Sequence, residues 1–80
     1  MNSQLSTIGA MAMDLKRASL GSKNVSEVFI NEALKRRDEI DKKNIPLYIQ
    51  NILDNFGKDR DKENLLMYSI LLQNYSQSGQ

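Results

Sequence analysis

The chain lacks cysteine and histidine, and each absence closes off a class of chemistry. Without cysteine there is no disulfide to brace a small fold and no thiolate nucleophile. Without histidine the commonest general acid–base near neutral pH is missing, and a zinc site of the usual nitrogen and sulfur kind has no ligands. Serines are present, but no base of the usual kind can activate them. Asp38, Glu39 and Asp41 sit among lysines and arginines, which does not favour paired-carboxylate catalysis. The chain is therefore expected not to be an enzyme and to carry no cofactor or metal.

Proline occurs once and glycine four times, too few to punctuate a series of β-hairpins. The glycines are dispersed and form no phosphate-binding loop. The longest hydrophobic stretch, Leu65–Leu72, is interrupted by Ser69, whereas a membrane span needs about 20 apolar residues. The N-terminal residues are polar and lack a signal-peptide pattern. The reading at this level is a complete cytoplasmic gene product with no membrane attachment. Net charge is +1, too near balance to point to nucleic acid on its own.

The 80 residues, 40% hydrophobic and 26% charged, make one domain with a thin core. The pattern is helical throughout. A first helix is expected over 5–20, because Leu5, Ile8, Met11, Ala12 and Leu15 recur at three- and four-residue spacings. Its small residues, Gly9, Ala10, Ala12 and Ala18, permit close helix approach, and Gly21 suits a left-handed cap. A second helix is expected over 25–41, capped by Asn24 with Glu27 completing a capping box. Phe29, Ala33 and Ile40 mark its inner face, flanked by Ile30 and Leu34. A third runs over 45–56, with Asn44 as cap, Pro46 in the first turn and Gly57 as stop. Its apolar arc is Ile45, Tyr48, Ile49, Ile52, Leu53 and Phe56. A fourth runs over 61–75, with acidic residues at its positive end. Short linkers favour antiparallel neighbours, so the fold class is all-α, a compact bundle of four short helices. Residues 1–75 form the single domain and 76–80 a flexible tail.

Two surface features bear on function. On the fourth helix, Leu65, Met67, Tyr68, Leu71, Leu72 and Tyr75 share one broad arc, while Leu66 and Ile70 lie on the opposite side. Either this is the central helix, covered on both faces, or Leu66 and Ile70 form a second seam for another protein or another copy. Met13 and Leu20 on the first helix and Leu34 on the second also fall off their main arcs. The second feature is the basic run Lys35, Arg36 and Arg37, followed by Lys42 and Lys43. It offers an alternative nucleic-acid surface. Against it, Glu32–Arg36, Asp38–Lys42 and Glu39–Lys43 are acid-before-base pairs at i, i+4, the pattern of a self-neutralised solvated face. The stem of Arg37 is expected along the core edge. A helix-turn-helix reading of Met13 to Arg37 fails on Arg17 before the turn and on Val25-Ser26-Glu27-Val28 at the start of the would-be recognition helix.

Asp59, Asp61 and Glu63 alternate like the opening of a calcium loop. The glycine that loop requires is Asn64 here, and its closing glutamate is Ile70. The expected function is a small, non-enzymatic interaction or regulatory module that self-associates as a homodimer, the natural way to cover a second seam on so small a domain.

Overall fold

The computed structural model describes residues 3–78, which fold into four α-helices: α1 (Ser3–Leu20), α2 (Lys23–Arg37), α3 (Leu47–Asn55) and α4 (Lys62–Ser78). Short 3-10 turns at Lys42–Asn44 and Phe56–Lys58 lead into and out of α3. There is no strand among the described residues. The expected all-α bundle of four helices is the fold.

Of the two readings of α4, the one that makes it the central helix does not hold: the central helix is α1, which packs along both α2 and α4. Small side chains explain it. Ala12 and Ala18 are buried on α1, and Gly9 stands so close to α4 that an added Cβ would lie 3.3 Å from the Ser76 hydroxyl oxygen. Serines serve as spacers on the facing helices. Ser69 is buried on α4, and its hydroxyl returns to the Leu66 carbonyl at 2.7 Å. Ser26 is buried on α2 and donates to the Ala18 carbonyl of α1. A helix flanked by small residues admits two close neighbours, which large side chains would hold off.

The core gathers Ile8, Met11 and Leu15 of α1, Ile30 and Ala33 of α2, Ile49, Ile52, Leu53 and Phe56 from α3 and its exit turn, and Leu65 and Leu72 of α4. The inner line of α2 thus runs through Ser26, Ile30 and Ala33. Phe29, Leu34 and Ile40 pack at the margin. Leu34, expected off the core, is covered by the turn after α3: its Cδ2 occupies the space a Cβ on Gly57 would need. Tyr48 is exposed although expected within the α3 arc, because the buried line passes through Ile49, Ile52 and Leu53.

Helix ends also shift. Ser22, two residues before Asn24, caps α2 by accepting from the Val25 amide at 3.4 Å. The helix stops at Arg37, so the expected i, i+4 pairs at 38–43 do not lie on a helix. Pro46 itself holds the N-cap position of α3, without a side-chain bond. Neither Gly21 nor Gly57 adopts a positive φ. Gly21 leaves room instead, since a Cβ there would fall 2.5 Å from Val25 Cγ1. Ser76–Ser78, expected as tail, continue α4, while Gly79 and Gln80 lie outside the described residues.

Candidate functional site

The two ends of the α1–α4 seam fix its direction. Gly9 meets Ser76 at one end, and the Lys62 ammonium donates to the Gly21 carbonyl at the other, so the helices run antiparallel. On α1, Met13 follows Gly9 by one turn and Leu20 follows Met13 by two, so all three share one flank. On α4, Leu66 and Ile70 follow Lys62 at successive turns. Both flanks open on the same side of the seam, away from the core.

That side carries the large exposed apolar side chains of these helices: Met13 at 42% exposure, Leu20 at 73%, Leu66 at 38%, Met67 at 48% and Ile70 at 50%. Glu63, Leu66, Met67, Ile70 and Leu71 line a shallow surface groove of about 320 Å³. Met67 was expected on the inner arc of α4. It lies outside because the inner line passes through Leu65, Ser69 and Leu72, and the small Ser69 takes the position that hydrophobicity alone would assign to a larger residue. Leu66 and Ile70 stay 38% and 50% exposed, and neither belongs to the buried core.

The basic run is dispersed by the fold. Arg36 reaches across to α1 and pairs with the buried carboxylate of Asp14, Nε to Oδ2 3.0 Å. Arg37 donates to the Leu53 carbonyl at 3.0 Å, and its guanidinium stands 5.9 Å from the centre of the Phe56 ring. Its stem follows the core edge as expected, but its head turns to α3 rather than to water. Lys35 stays at the surface, 3.4 Å from Glu32. Lys42 pairs with Asp54, whose carboxyl is held below its ordinary value first by that bond. The expected Glu32–Arg36 pair is therefore replaced by one to Lys35 and one to Asp14. Asp14 was invisible to periodicity, since a carboxylate on a helix reads as solvent-facing.

The acids before α4 organise its start. Asp59 accepts from the Asp61 amide at 2.9 Å, from Asn64 Nδ2 at 2.9 Å and from the Tyr68 hydroxyl at 3.1 Å. The Asp61 amide is the main reason that its carboxyl titrates below the ordinary value. Burial first, and then the bond to Asp59, raise the Tyr68 hydroxyl above its ordinary value. Asp61 in turn accepts from the Glu63 amide at 2.9 Å. Among the described residues no group of three acids converges as a metal-holding cluster. A second cavity of about 250 Å³ lies beside Lys23, Glu27, Arg60 and Lys62. Arg60 there is committed to Glu27, at 2.5 and 3.2 Å, and to the Gly57 carbonyl. No helix among the described residues is long and apolar enough to cross a membrane.

No protein-family model, curated protein or solved structure matches this chain.

Proposed function

We propose that this protein is a non-enzymatic helical interaction module, and that the open flank of α4 is its docking face. The observation that carries the reading is the placement of Leu66, Met67 and Ile70 around one groove above a core that needs none of them. Three large apolar side chains side by side on α4, with Met13 and Leu20 also exposed on α1, are more than scattered single exposure. Methionines suit such a surface, because an unbranched thioether adapts to a partner's contour. The nucleic-acid alternative draws less support, since Arg36 and Arg37 are engaged within the fold. A phosphate-binding surface needs cations free to face the backbone.

A photo-cross-linking amino acid at Ile70, compared with one at exposed Asn51 on α3, tests the reading in the cells that make the protein. Protein adducts at position 70 that are absent at position 51 are expected. Equal, background-level adducts at both positions would overturn it.

A further inference from the structure

The docking face carries charge as well as apolar surface, and the charges bear on what covers it. Lys16 stands between Met13 and Leu20 on the flank of α1, and Glu63 lines the groove on α4. Both are exposed. The ion pairs among the described residues are Lys35–Glu32, Arg36–Asp14, Lys42–Asp54 and Arg60–Glu27, so neither Lys16 nor Glu63 belongs to one. One face thus presents an unpaired cation on one helix and an unpaired anion on the other, each beside apolar side chains.

Resting on the docking face proposed above, we infer that its occupant is a second copy of this chain. The two copies are related by a two-fold axis that lays α4 of each along α1 of the other. In an isologous pair every contact occurs twice. Leu66 and Ile70 of one copy then meet Met13 and Leu20 of the second, and Glu63 meets Lys16, in both directions. The register allows it. With Gly9 level with Ser76, Lys16 and Glu63 differ by about 9 Å along the axis at 1.5 Å per residue, within the combined reach of the two side chains. Laying α4 on α4 instead would leave both charges without an opposite. Size agrees as well. A stable interface needs roughly 600–1,000 Å² per partner, more than a single helix stripe offers. The molecule measures 35 × 19 × 19 Å, and its long face, spanned by α1 and α4, is of that order.

Charge reversal tests the pairing. Lys16→Glu and Glu63→Lys are each expected to weaken the dimer roughly tenfold, by turning two attractive contacts repulsive. Mixed in equal amounts, the two variants are expected to recover wild-type affinity, because in the mixed pair each reversed group meets its opposite. Sedimentation equilibrium reads all three samples. A mixture as weak as the single variants, or single variants as strong as wild type, would overturn the pairing. A wild-type chain that stays monomeric while the Ile70 cross-link traps a different protein would overturn the second copy and leave the docking face standing.

Discussion

The Arg36 guanidinium of α2 lies 3.0 Å from the buried carboxylate of Asp14 on α1. This bond joins the central helix to its neighbour and withdraws the middle of the basic run from the surface. Removing Arg36 leaves a buried charge without its cation. Arg36→Ala is therefore expected to cost about 1–3 kcal/mol, measured by urea denaturation. Lys35→Ala, which breaks only an exposed pair, should stay within about 0.5 kcal/mol of wild type. Equal effects at the two positions would contradict a structural role for Arg36.

Gly9 offers a test of the α1–α4 seam. Gly9→Ala relieves a glycine within a helix, worth about 1 kcal/mol, and sets a methyl group 3.3 Å from a hydroxyl that can rotate. The two effects nearly cancel, so stability should move by about 0.5 kcal/mol or less. Gly9→Val adds branches that must displace α4 and should cost about 1–3 kcal/mol. Thermal unfolding of the pair distinguishes a close seam from a loose one.

How far these contacts were legible in the sequence depends on what carries them. The α3 arc of Ile45, Ile49, Ile52, Leu53 and Phe56 is buried as its spacing requires, because large apolar side chains dominate the period. The outward position of Leu66 and Ile70 follows from the same arithmetic. The seam itself was only half legible. The small residues of α1 pointed to close approach, but Ser26, Ser69 and Ser76 read as polar, although their hydroxyls bond to backbone carbonyls and cost little to bury. That misreading is what placed Met67 on the inner arc of α4. Helix ends were obscured for a related reason. Ser22 and Asn24 are both suitable caps by residue type, and it is the Ser22 hydroxyl that accepts from the Val25 amide.

The start of α4 sets an expected pH dependence. The Asp59 carboxyl titrates below its unfolded value, so it stabilises the fold above that value, about 3.9, and the stability is lost as pH falls through the lower folded one. Tyr68 titrates above its unfolded value, about 10, so its contribution is complete below that and lost as pH rises through the folded one. Asp59→Asn should flatten the acid limb of the stability profile, and Tyr68→Phe the alkaline limb. Unfolding midpoints recorded across pH check both. Unchanged limbs would remove the network around Asp59 from the account.

The central claim, that the open α1–α4 flank docks a second copy, is tested most directly by solution mass. Light scattering on a size-exclusion column would compare the wild type with a Leu66→Gln, Ile70→Gln double variant over a range of concentrations. The wild type is expected to rise from 9.1 kDa toward twice that value, while the double variant stays helical and at 9.1 kDa. A wild type that remains at 9.1 kDa throughout, or a double variant that unfolds, would contradict it.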